Sequence, residues 1–195
     1  MKSLPTRIAD SSTTSVVGVW QRHVAARYAH AALSGRTATS RWGTVDGFPV
    51  LHLGQPLDSV IVEAYRHLVD PVEDPSIAHA IPPRVLVTCQ VDVTNILDLR
   101  TATSRVSTGL TMEILQSGTR DGASYRKCQE GSATAHQLGM HGVIAPAATE
   151  LGLTLALFPE HLPDTERPVL LDQETWSKLP ADPRGDGNRG LRLIK

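Results

Sequence analysis

Aromatic side chains are rare in this 195-residue chain, where Phe, Trp and Tyr together make up 4%. Each Trp or Tyr beside polar residues at the edge of an element therefore carries unusual weight. Cysteine is nearly absent. Cys89 and Cys128 show no Cys-x-x-Cys spacing and no pairing framework, which reads as two free, buried thiols in a reducing cytosol. Neither sign of charge prevails, since 19 Lys and Arg face 20 Asp and Glu, for a formal net charge of −1. That balance argues against general affinity for nucleic acid or an anionic membrane and leaves room for a local basic pocket. No basic stripe or recognition helix stands out, so direct nucleic-acid binding is not expected. No stretch approaches the ~18 apolar residues of a membrane span. The Ser/Thr-rich opening segment lacks the apolar run of a signal peptide, and the expected location is the cytoplasm.

The common catalytic signatures are missing as well. There is no G-x-G-x-x-G after a strand and no G-x-x-x-x-G-K-[ST], so neither a Rossmann dinucleotide site nor a P-loop is supported. A G-x-S-x-G nucleophile elbow is also absent. Eight histidines invite a metal, but no H-E-x-x-H and no His/Cys cluster exists, and no metal site is expected.

What is present suits one mixed domain with a sizeable core, hydrophobic residues being 41% of the chain. Residues 1–14 read as a loose leader, 15–179 as the folded domain, and the Pro/Gly/Asp-rich 180–195 as a flexible tail. Val16 to Trp20 is a short β-branched run that would deliver Arg22 just past its end. Phe48 to Leu53 reads as a second strand, its pleat placing Phe48, Val50 and His52 on one face. Asp58 or Ser59 would cap a helix over 59–69 with Val60, Ile61, Ala64 and Leu68 as its apolar stripe and Glu63 at its margin. Residues 84–93 alternate cleanly, with Val85, Val87, Cys89, Val91 and Val93 on one side. A helix over 124–138 stops at Gly139, and strands follow over Val143–Ala145 and Leu151–Phe158. Short strands interrupted irregularly by helices indicate an α+β fold rather than a doubly wound sheet.

The N-terminal third concentrates polar residues at element edges: Arg22, Arg41 beside Trp42, His52 and Glu63. Their order is specific. Trp20-x-Arg22, Ala32-Leu-Ser-Gly35, Arg41-Trp42, Gly47-x-Pro49-Val-Leu-His-Leu53 and Glu63 together resemble the RES-domain family. Cys128-Gln129, Gly142 to Ala148 and Gly152 to Pro159 extend the resemblance, which covers about residues 18–160. Pro146-Ala-Ala148 is similar to the family's mycobacterial NAD phosphorylase branch. Three positions depart from the pattern: His52 stands where most members have Tyr, Gly43 where the family usually has Asn, and Ala147 where many members have Ser. The segment around 36–40 is shorter than the family's.

The resemblance implies a compact single-domain α+β fold related to ADP-ribosyltransferases. It implies the toxin of a toxin–antitoxin pair, neutralised by an Xre-like antitoxin; a homo-oligomer in complex with that antitoxin is left open, the oligomeric state not being readable from the chain. The implied activity is NAD degradation, by phosphorolysis with inorganic phosphate as co-substrate or by hydrolysis. ADP-ribose transfer to a protein, or a degenerate non-catalytic binding module, are the alternatives. Carried over, Arg22, His52 and Glu63 are the catalytic positions, and Arg22, Arg41, Trp42 and Gln129 those that hold NAD. The chemistry is consistent: guanidiniums clamp a pyrophosphate, and a fixed carboxylate steadies the cationic ribose formed as nicotinamide leaves.

Overall fold

The computed structural model describes residues 2–72 and 81–185. Its elements run α1 (Leu4–Ala9), β1 (Thr13–Ala25), a 3₁₀ turn (Ala26–Ala31), β2 (Leu51–Gln55), α2 (Leu57–Leu68), β3 (Arg84–Asp98), α3 (Ala102–Thr108), α4 (Met112–Leu115), α5 (Gly122–Gln137), β4 (Gly142–Pro146), β5 (Leu153–Leu157) and β6 (Val169–Trp176). Six strands form one sheet in the order β1-β2-β5-β4-β3-β6, and β1 pairs with β3 as well, closing a ring. The fold is α+β, as expected.

β3 organises the sheet. Its alternation is borne out: Val85, Val87, Cys89, Val91 and Val93 are all buried, while Asp92 is exposed. Burying each such side chain is worth roughly 1.5–3 kcal/mol. One edge of β3 pairs antiparallel with β1 from Arg84↔Ala25 to Leu97↔Thr13. This long pairing corrects the expected short first strand. β1 continues to Ala25 through the polar Gln21-Arg22-His23, so Arg22 lies inside the strand opposite Val87. Cross-strand hydrogen bonds, which no local apolar pattern reveals, hold those residues extended.

The N-terminal segment is not a loose leader. Ser3 caps α1, Pro5 sits in its first turn, and Ile8 is fully buried against Leu97, Leu99 and Leu110. At the other end, Tyr65 donates to the Pro180 carbonyl at 2.9 Å, and Arg184 grips Asp70 at 2.7 and 3.0 Å and also bonds Asp182. Residues 180–185 of the expected tail are thus tied to α2, and 186–195 lie outside the described residues.

Two further boundaries move. β2 starts at Leu51, so Phe48 is not in a strand; it stacks on His136 instead, at 3.8 Å between centroids. α2 starts at Leu57, ahead of the expected Asp58 or Ser59 cap; its N-cap is Pro56, which has no side-chain acceptor, and Ser59 Oγ, inside the first turn, pairs with Thr149 Oγ1 at 2.7 Å. α5 is capped by Asp121, and Gly139 beyond it takes φ +72°, a left-handed stop that glycine adopts without strain.

β4 and β5 pair antiparallel with Gly142 opposite Leu157. A Cβ at Gly142 would run into the Ala156 carbonyl and sit 3.1 Å from Leu157 Cα. Gly142→Ala is therefore expected to destabilise the fold by about 3 kcal/mol. A lowered urea midpoint at unchanged m-value would show it; an unchanged midpoint would mean the sheet yields at this crossing.

Candidate active site

β1, β2 and α2 meet along one side of the sheet. Gly54 lets α2 approach closely, since a Cβ there would lie 3.0 Å from Val60 Cγ2. Glu63 follows Val60 by one helical turn and is carried over β2 beside His52. A cleft opens there with two lobes, of about 130 and 280 Å³, whose shared wall includes Ser40, His52, Glu63 and His67. The smaller lobe is also lined by Arg41, Arg66 and Tyr125, the larger by Arg22, Arg36 and Arg84. Among the described residues, five arginines and one carboxylate, Glu63, thus face a single cleft in a chain of net charge −1.

Arg22 donates through Nη1 to the Ala32 carbonyl at 2.8 Å, while its buried Nε has no partner among the described residues. Burial, and next the neighbouring Arg36 cation, lower its pKa to about 10, so it stays charged at neutral pH. Two more buried polar atoms of the cleft, Ser40 Oγ and His52 Nε2, lack partners among the described residues. Unsatisfied buried groups are costly, and three gathered on one cleft wall mark a place for a polar ligand. Glu63 is half-buried with its Oε1 3.8 Å from His67 Nε2.

The cleft brings together Arg22, Arg41, Trp42, His52 and Glu63, although two of these have structural duties. Arg41 is buried and donates to the Ile114 carbonyl at 2.8 Å, to Ser117 Oγ at 3.0 Å and to the Ser117 carbonyl at 2.7 Å. Its guanidinium also lies 4.6 Å from the Tyr125 ring centre. It anchors the loop after α4 from within the wall. Trp42 is 3% exposed and belongs to the apolar core, and its carbonyl accepts from Ser132 Oγ at 2.7 Å. Gln129 does not line the cleft: its Nε2 donates to the Ser40 and Gly43 carbonyls at 2.8 and 3.1 Å, holding the turn that carries Arg41 and Trp42. Gly43 is explained by packing, since a Cβ would meet Val50 at 3.3 Å and the Ala38 carbonyl at 3.4 Å. Ala147 is buried beside the smaller lobe without lining it.

Sequence reasoning missed Ser40, Arg36, Arg66, His67 and Arg84. Arg66 and His67 were accessible to it, because they follow Glu63 by three and four positions and share its helix face. Arg66 donates to the Ala148 carbonyl and to the Ser117 carbonyl at 3.4 Å. Arg36 and Arg84 carry no local signal. A backbone bridge to Val50 places the first, and the pairing of β3 with β1 places the second.

Burial, and next Arg22, lower the His52 pKa to about 4; burial, and next Arg84, lower that of His23 to about 3. Both rings are then neutral in the fold, whereas an unfolded His titrates near 6.5. Between pH 6.5 and 4 the unfolded chain binds more protons, so stability is full above about pH 6.5 and lost as the pH falls toward 4. Urea midpoints should decline across that window, and His52→Gln should flatten the decline. A midpoint independent of pH would contradict two buried neutral imidazoles.

The RES domain family matches residues 19–178 of the chain. A chain in the crystal structure of the M. tuberculosis MbcT-MbcA toxin-antitoxin complex is 25% identical and superposes with a TM-score of 0.73, over 89% of this chain and 92% of that one. No curated protein matches. With most of its length matched, the chain belongs to the RES domain family.

Proposed function

We propose that this protein is the toxin of a toxin–antitoxin pair and that it degrades NAD by cleaving the nicotinamide–ribose bond. The observation that carries this reading is Glu63, the one carboxylate among the described residues that line the cleft, at the junction of two lobes whose other charged walls are arginines. Such a cleft suits an elongated anion with a cationic centre between its ends. Arg22, with its unpartnered Nε, is the residue for the pyrophosphate. When the glycosidic bond breaks, its electron pair neutralises the nicotinamide ring nitrogen and positive charge moves onto the ribose. Glu63 stabilises that charge, which is larger in the transition state than in bound NAD. The leaving group departs neutral, so no strong acid is required. Phosphate or water then attacks the ribose carbon, and water gives up a proton in doing so. His52, neutral with its Nε2 unpartnered, is placed to hydrogen-bond a ribose hydroxyl or the incoming oxygen.

An antitoxin partner is supported by the similarity to MbcT, which forms a complex with the antitoxin MbcA. An Xre-like protein is the expected partner here, and co-expression with it should relieve growth arrest caused by this chain.

The test is release of nicotinamide from NAD by the purified protein with and without inorganic phosphate. ADP-ribose as product indicates water as acceptor, and its 1″-phosphate indicates phosphate. Failure to release nicotinamide under both conditions, at high protein concentration, would refute the reading.

A further inference from the structure

Among the described residues the larger lobe is lined by three arginines, Arg22, Arg36 and Arg84, and by the carboxylate Glu63. With Arg22 assigned to the pyrophosphate, two guanidiniums are left over. Those two gather where the 3₁₀ turn, the 34–40 loop and the start of β3 meet. There Arg36 has no hydrogen-bond or ion-pair partner for its guanidinium among the described residues, which instead lies 5.5 Å from the Tyr28 ring centre. Arg27 lies 5.0 Å from the same ring. The Arg36 backbone is pinned in both directions to Val50, at 3.2 and 3.1 Å, so the side chain rises from a fixed base. Arg84 donates through Nε and Nη2 to His23 Nδ1 at 3.2 and 2.9 Å, which leaves Nη1 without a partner among the described residues. The His23 ring stacks on Trp176 at 6.5 Å, fixing that guanidinium in turn. Like charges crowd here: burial and then Arg36 and Arg27 depress Arg84, and Arg36 depresses Arg22. A bound anion relieves that repulsion.

We propose that Arg36 and Arg84, with Arg27 at the rim, form a second anion subsite that takes a phosphate dianion. Its two sources are the 2′-phosphate of a phosphorylated dinucleotide such as NADP and free orthophosphate. The proposal rests on the dinucleotide-cleaving reading of the same cleft. In Rossmann-type sites an acidic residue selects a ribose 2′-hydroxyl and an arginine accepts a 2′-phosphate; the same chemistry applies to any site that meets that group. Among the described residues Glu63 is the one carboxylate lining the larger lobe, and it stands at the junction of the lobes, shared with the smaller one. Charge-assisted bonds from a planar guanidinium suit a phosphomonoester.

Calorimetric titration of the full chain tests the subsite without relying on turnover, using 5′-ADP, 2′,5′-ADP and inorganic phosphate as probes. The 2′-phosphate should improve affinity at least about tenfold, and Arg36→Ala, at an exposed position, should erase that advantage. NADP should then also be cleaved with a lower KM than NAD. If 2′,5′-ADP gains nothing over 5′-ADP, yet orthophosphate binds and is lost in Arg36→Ala, the subsite stands with free phosphate as its occupant. Equal binding of the two nucleotides together with no binding of orthophosphate overturns the proposal, as does an Arg36→Ala effect equal for all three probes. Absence of nicotinamide release from both dinucleotides would instead refute the enzymatic reading, and the titrations would still decide the subsite.

Discussion

Glu63→Gln is expected to lower NAD turnover by about 10³-fold or more, with the thermal midpoint within about 2 °C of the parent. The two halves of this result have separate causes. Glu63 is half-buried on the margin of α2, and its one close side-chain contact among the described residues is the His67 ring at 3.8 Å, so an isosteric amide costs the fold little. Catalysis depends on the negative charge itself, because an amide cannot offset the cation that develops on the ribose. KM should change far less than kcat, since bound NAD makes weaker demands on that charge than the transition state does. A Glu63→Gln protein with a normal rate would show that another group steadies the sugar. Loss of folding in the variant would show that Glu63 is structural.

Arg41→Ala is expected to act in the opposite way, through stability first. The substitution removes three hydrogen bonds from a charged donor, to the Ile114 and Ser117 carbonyls and the Ser117 hydroxyl, leaves the Ser117 carbonyl with only the 3.4 Å contact from Arg66, and takes the cation from the Tyr125 face. At roughly 1.5–3 kcal/mol for a hydrogen bond to a charged group, partly offset by the donors that remain, a loss of about 3 kcal/mol is expected. For a domain of this size that is a fall of roughly 6–12 °C in the thermal midpoint. Arg41→Lys should recover only part of it, because an ammonium cannot reproduce the planar fork that reaches two carbonyls. An unchanged midpoint combined with a raised KM for NAD would reverse this assignment and make Arg41 a ligand clamp after all.

These two residues show which parts of the site can be read from the chain. Glu63 could be placed because its helix is patterned locally: Val60, Ile61 and Ala64 are buried as the stripe requires, and Glu63 borders them. Arg41 could be recognised as important from its neighbours in sequence, but its duty could not, since its acceptors lie more than 70 positions away. Gln129 is the same case, reaching back to Ser40 and Gly43. Ile8 is a sharper one. A single apolar residue in a Ser/Thr-rich segment has no periodicity, yet it is fully buried and holds α1 to the core.

By itself the sequence determined the alternation of β3, the stripe of α2, the stop of α5 at Gly139 and the order of residues that marks the family. All of these depend on contacts between near neighbours or on the backbone freedom of one residue. The tertiary structure alone decided that β1 runs on through Arg22, that Arg41 is an anchor, and that Arg36 and Arg84 share a lobe with Glu63. Those outcomes depend on hydrogen bonds and on repulsions between like charges. Both are set by distance in space, which strand pairing creates and which separation along the chain does not encode.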